Sequence, residues 1–243
     1  MGAGALNLVF VTGGSRGIGR ALVEHYEAAG WTVREFSRSG SGARHVPLDL
    51  ADTGAAIAAA TRAFEPLAAM TWERVLLVNN AGLAAPVAPA RRLDDAAISR
   101  NLNVNLASAI GVVAAVARCF AASPAAKTVV NVTSGAALKG YFGWSLYCAA
   151  KAGMENFIRS LAVEQAAEPY PIACINLAPG VVDTAMQAEL RATPVADFPD
   201  VGRFIDLKHS GALRAPEAVA HVIARIVEEG PKNGERYLVA DYD

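Results

Sequence analysis

Tyr147 and Lys151 stand four residues apart, so on a helix they share one face. A phenol with an ordinary pKa near 10 is a poor acid–base partner at neutral pH, and a neighbouring ammonium favours the phenolate and lowers that pKa. The spacing alone carries little weight. With this many tyrosines and lysines, such a pair arises by chance about once in eight chains of this length. Ser134 adds to it, because it follows Asn131-Val132-Thr133, the end of an apolar run that reads as a strand. A serine hydroxyl there can hold a carbonyl oxygen while the phenol gives it a proton. That combination fits reduction of a carbonyl by hydride.

A second motif suits the source of the hydride. Thr12-Gly13-Gly14-Ser15-Arg16-Gly17-Ile18-Gly19 follows an apolar run directly and opens an alanine-containing helical segment. Glycines let backbone approach a phosphate, and a helix start offers free N–H groups and a positive dipole end. A plain tight turn would explain the glycines alone, but the strand–loop–helix setting points to a dinucleotide held by Gly13, Ser15, Arg16, Gly17, Ile18 and Gly19. NAD readers carry an acidic residue at the tip of the next strand, bonded to the ribose 2′-hydroxyl. Here that strand ends Phe36-Ser37-Arg38, and Glu35 falls inside it. Arg16 and Arg38 can clamp a 2′-phosphate, which favours NADP(H), unless they are two solvated surface arginines.

Elements that could position these groups recur along the chain. Strand-like runs at Leu6–Thr12, Thr32–Ser37, His45–Leu48, Val75–Asn79, Thr128–Thr133, Ile172–Leu177 and Tyr237–Val239 alternate with helical segments at Gly17–Ala29, Thr53–Ala69, Ile98–Phe120, Leu146–Ala166 and Pro216–Glu229. The alternation predicts one α/β unit over residues 1–243: a doubly wound Rossmann-type sheet of about seven parallel strands with helices on both faces. Residues 181–212 break the pattern and are expected to form a substrate lid.

The remaining composition narrows the function. A net charge of −1 and scattered basic residues give no reason to expect nucleic acid or an anionic membrane as partner. No stretch of 18 apolar residues runs uninterrupted, so no membrane span is expected, and Met1 to Phe10 show no basic leader. A cytoplasmic enzyme is the resulting expectation. Cys119, Cys148 and Cys174 are widely separated, and neither they nor the four histidines match metal-ligand spacing, so no metal is expected.

Over nearly its whole length the chain resembles the classical short-chain dehydrogenase/reductase family. The matches are the loop at 12–19, Asn79-Asn80-Ala81-Gly82, Asn103-Val104-Asn105, Ser134, Tyr147 with Lys151, and Pro179-Gly180. The resemblance implies that Asn105 holds a proton-relaying water, Ser134 orients the carbonyl, Tyr147 donates the proton, and Lys151 also bonds the nicotinamide ribose. It implies that Asp49 and Leu50 flank the adenine, and that Asn79, Asn80, Ala81, Gly82, Pro179, Gly180 and Val182 line the cofactor cleft with Thr184 at the carboxamide. A homodimer or homotetramer also follows from the resemblance.

The segments 143–151 and 176–186 are similar to the sepiapterin reductase subgroup with its benzil-reducing bacterial members, which implies a 1,2-dicarbonyl substrate. That subgroup anchors substrate with a C-terminal aspartate, for which Asp241 is the candidate here. Tyr141 and Trp144 precede Tyr147 and could stack on a flat substrate, or simply pack. The expected function is therefore NADPH-dependent reduction of a ketone or 1,2-dicarbonyl. The alternatives are an NADP-linked alcohol dehydrogenase, a 3-ketoacyl-thioester reductase, or an idle NADP(H)-binding sensor. The complete Asn–Ser–Tyr–Lys set speaks against idleness, since a binding module needs no phenol.

Overall fold

Alternate residues of each central strand enter different cores, as they must when both faces of a sheet are covered. In β1 (Asn7–Thr12) Leu8 and Phe10 face one core while Val9 and Val11 face the other. In β4 (Arg74–Asn79) Val75 and Leu77 divide from Leu76 and Val78 in the same way. The computed structural model describes residues 6–243, so the start expected to lack a leader lies partly outside the described residues.

The other strands are β2 (Thr32–Ser37), β3 (His45–Pro47), β5 (Ala126–Val132), β6 (Ile172–Ala178) and β7 (Arg236–Leu238). All seven pair in parallel, in the order β3-β2-β1-β4-β5-β6-β7. The order reverses between β1 and β4, which opens a crevice beyond their C-terminal ends. The doubly wound fold expected from the alternation is thus present.

Helices α1 (Gly17–Ala28) and α8 (Pro216–Glu229) cover one face; α2 (Thr53–Ala68), α4 (Ser108–Cys119) and α5 (Ser145–Gln165) cover the other. Pro216 opens α8, where its missing N–H leaves nothing unpaired.

Two stretches differ from expectation. The helix read as Ile98–Phe120 is interrupted. α3 (Asp95–Leu102) starts three residues earlier, because the Asp94 carboxylate accepts the Ala97 N–H at 2.7 Å and caps it. A π-helical turn, Asn103–Ala107, then separates α3 from α4. By length and composition the run Asp95–Cys119 could cross a membrane, with a mean hydropathy of 1.5, although five polar side chains interrupt it between Arg100 and Ser108. It serves instead as a core helix, with Val112, Val113, Ala115 and Val116 packed on the sheet.

The second stretch is 181–212, which contains α6 (Ala185–Arg191) and α7 (Val201–His209). Their Leu190, Val201 and Phe204, together with Phe198 between them, form a third apolar cluster with Trp144 and Tyr147. Seven- and nine-residue helices separated by Pro194 and Pro199 show too few turns for the 3.6 period to stand out.

Candidate active site

The glycine loop is tied to the next crossover rather than left free. Asn80 Nδ2 donates to the Thr12 carbonyl at 3.0 Å, and the Thr12 hydroxyl accepts the N–H groups of Asn80 and Ala81, each at 3.0 Å. Gly13 has φ +70°, and a Cβ there would meet Ala81 Cα at 3.0 Å. At Gly19 a Cβ would lie 2.1 Å from the Gly13 carbonyl, so Gly19 is a packing glycine and not part of the cleft wall. Among the described residues no side chain caps α1, and its first residues, Gly17 and Ile18, line the cleft. This cradle fits a pyrophosphate.

The cleft holds about 540 Å³. At its outer end Arg16 and Arg38 are exposed, and among the described residues neither pairs with a carboxylate. Glu35 is removed from this end. Its side chain is buried beneath the glycine loop, where a Cβ on Gly14 would lie 2.4 Å from Glu35 Cγ. Glu35 Oε2 bonds His45 Nδ1 at 2.6 Å. Asp49, Leu50, Ala81, Gly82, Pro179, Gly180 and Val182 line the cleft.

At the inner end β5 delivers Ser134 and the first turns of α5 deliver Tyr147 and Lys151. Lys151 Nζ lies 5.7 Å from the Tyr147 ring centroid and donates to the Val132 carbonyl at 2.8 Å. Burial pushes the Tyr147 phenol up to about 12, opposed by hydrogen bonding to Ser134. Burial pulls the Lys151 ammonium down to about 8. The expected lowering of the phenol is not found; desolvation disfavours the charged form of each group.

The profile of the short chain dehydrogenase family matches residues 7–195. The chain belongs to that family. This short-chain dehydrogenase is 33% identical to the benzil reductase ((S)-benzoin forming) of Bacillus subtilis, an alignment covering 98% of this chain and 100% of the relative. It is also 33% identical to the sepiapterin reductase of Xenopus laevis over 86% of each chain. Among solved structures, the KRED1-Pglu enzyme superimposes with a TM-score of 0.80 at 32% identity, covering 95% of this chain and 99% of that one. The chain is an oxidoreductase, and the relatives' activities fit reduction of carbonyls.

Within this dehydrogenase the residues implied by resemblance fall into two groups. Thr184 lines the cleft and faces the glycine loop, where its Cγ2 lies 3.1 Å from the position of a Cβ on Gly17. Asn80 lines it too. Asn79, Asn105 and Asp241 do not. Asn79 is buried, and its amide donates to Asn131 Oδ1 at 2.9 Å inside the sheet. Asn105 clamps the backbone of Leu83, its Oδ1 accepting the N–H and its Nδ2 donating to the carbonyl, both at 2.9 Å. Its Nδ2 also donates to Asn101 Oδ1 at 3.1 Å, so with its oxygen and both amide hydrogens engaged it shapes the loop after Gly82. Asp241 is exposed on a C-terminal 3₁₀ turn, away from the cleft.

Six residues that line the cleft from α6 and α7 were not anticipated: Ala185, Met186, Gln187, Leu190, Arg203 and Phe204. Their sequence signal is only their place in the 181–212 segment, where the alternation breaks. Tyr141 and Trp144 do line the inner end, and the Trp144 ring lies 4.8 Å from that of Tyr147 at 31°.

Proposed function

We propose that this short-chain dehydrogenase reduces a ketone or 1,2-dicarbonyl to an alcohol with NADPH. The observation that carries the reading is the convergence of Ser134, Tyr147 and Lys151 at one end of a cleft whose other end combines an uncapped helix start with Arg16 and Arg38. NADPH would lie along the glycine loop and supply hydride. Ser134 orients the carbonyl oxygen, the Tyr147 phenol gives it a proton, and Lys151 holds the ribose hydroxyls. α6 and α7 cover the inner end and keep water from it.

The charge at the outer end sets the cofactor preference. A charge-assisted contact to the 2′-phosphate contributes roughly 1.5–3 kcal/mol, about ten- to a hundredfold. kcat/KM with NADPH should exceed that with NADH by this factor, and Arg38→Asp should narrow or invert the gap. Equal values in the wild type would refute the assignment.

The dicarbonyl half of the proposal is supported by Trp144. Among the described residues its buried indole N–H has no hydrogen-bond partner, and its ring is tilted beside that of Tyr147. A buried donor of this kind is costly while nothing accepts from it, and a small turn of the ring would offer it to a second carbonyl next to the reacting one. Trp144→Phe keeps an aromatic ring and removes the donor. It should lower kcat/KM for an aryl 1,2-diketone about three- to tenfold and leave the matching monoketone within about twofold. Equal losses on both substrates would limit Trp144 to packing.

A further inference from the structure

Tyr147, Lys151 and Glu155 occupy successive turns on one face of α5. Each turn meets the end of β5. Glu155 Oε2 accepts the Thr133 hydroxyl at 2.8 Å, one residue beyond the carbonyl that Lys151 bonds and one before Ser134. Val132 is thus engaged by Lys151, Thr133 by Glu155 and Ser134 by Tyr147, one from each of three turns of the helix.

Glu155 does not line the cleft, and it is 1% exposed. A carboxylate is rarely so buried unless its charge is compensated. Arg159, one turn further along α5, pairs with it, and Arg236 of β7 reaches it at 3.2 Å. Its backbone carbonyl also accepts from Asn176 Nδ2 at 3.1 Å. That amide ends a buried relay across three strands, with Asn79 donating to Asn131 at 2.9 Å and Asn131 to Asn176 at 2.8 Å.

The rest of this helix–sheet contact is apolar, through Met154, Ile158 and Leu161. Apolar burial is non-directional and leaves a helix able to shift along the sheet, whereas hydrogen bonds to a buried carboxylate hold one register. A misplacement of about 1 Å in a reacting group can reduce rate about a hundredfold.

We propose that Glu155 is a positioning residue. Through Thr133 it sets the register of α5 against β5 and thereby holds Tyr147 opposite Ser134. The inference rests on Tyr147 as proton donor, and its test separates the two.

Thr133→Val keeps the side-chain shape and removes the bond, while Thr133→Ser retains the hydroxyl. Thr133→Val should lower kcat about tenfold, with substrate KM within about twofold, and Thr133→Ser should recover at least about half of the wild-type kcat. Because the effect passes through the phenol, Thr133→Val should cause no further loss in a Tyr147→Phe background. Glu155→Gln, which keeps an acceptor for Thr133 but drops the charge held by the arginines, should show a smaller fall that also vanishes in that background.

Wild-type kcat in both Thr133→Val and Glu155→Gln would overturn the proposal, as would equal fractional losses with and without Tyr147. A fall in Tm without a change in kcat would reduce Glu155 to a structural role. If Tyr147→Phe alone keeps wild-type kcat, it is the donor assignment that fails.

Discussion

Replacing Tyr147 by Phe is expected to lower kcat by at least about a hundredfold while NADPH binds nearly as before, since general acid catalysis contributes about 10²- to 10⁴-fold. The substitution deletes one hydroxyl and keeps the ring, so the stacking of Trp144 at 4.8 Å has no reason to change. Ser134 cannot easily take over. Its oxygen already accepts the Ala136 N–H at 3.1 Å, and an aliphatic hydroxyl is a far weaker acid than a phenol.

With the phenol pushed up to about 12, the donor stays protonated from neutrality to well into the alkaline range. Wild-type reduction should accordingly show no alkaline fall from Tyr147 below about pH 11, and a limb near pH 8 would report Lys151 instead. Single-turnover rates and NADPH fluorescence titration across this range make the check. If Tyr147→Phe retained more than about a tenth of wild-type kcat, some other group would be the proton donor.

Lys151→Met should separate activity from stability. Two charge-assisted bonds to the ribose at about 1.5–3 kcal/mol each would be lost, so kcat/KM should fall roughly a hundredfold or more. The folded protein should nevertheless become harder to unfold. Holding an ammonium at about 8, against the ordinary 10.5, costs roughly 3 kcal/mol of stability at neutral pH. The sign follows from proton uptake. Between about pH 8 and 10.5 the unfolded chain binds this proton and the folded one does not, so the cost is complete below pH 8 and fades as pH rises to 10.5.

Met fills similar space without the charge but leaves the Val132 carbonyl without its partner, which returns about 1–2 kcal/mol. A net gain of roughly 1–2 kcal/mol at pH 7 is expected, gone or reversed by pH 10.5. Urea unfolding at the two pH values measures it. A variant less stable than wild type at pH 7, with an unchanged pH dependence, would show that Lys151 carries no such cost.

Both experiments concern residues that local spacing could reveal. The Tyr147–Lys151 interval places two side chains on one helix face whatever the rest of the chain does, because helix geometry is set within a few residues. The glycine loop is legible for a related reason, since positive φ at Gly13 and close packing at Gly19 admit few other residues. Alternating apolar runs likewise announced a parallel sheet, and six of its seven strands begin within one residue of their expected positions.

What the sequence by itself determined was therefore the part of the protein encoded by short-range geometry: the sheet, the phosphate cradle and the pairing of phenol with ammonium. The tertiary structure decided the rest, where energies depend on neighbours distant in sequence. Glu35 meets His45 beneath Gly14, Asn105 turns to the backbone of Leu83, and Thr133 finds Glu155 22 positions away. Asp241 remains at the surface although its position near the C-terminus suggested a substrate anchor. The pKa of Tyr147 illustrates the division. A lysine four residues away suggests a lowered value, yet the helix, strand and α6–α7 cluster exclude water from both groups, and desolvation inverts the direction. Burial is a property of the assembled chain, and no local spacing carries it.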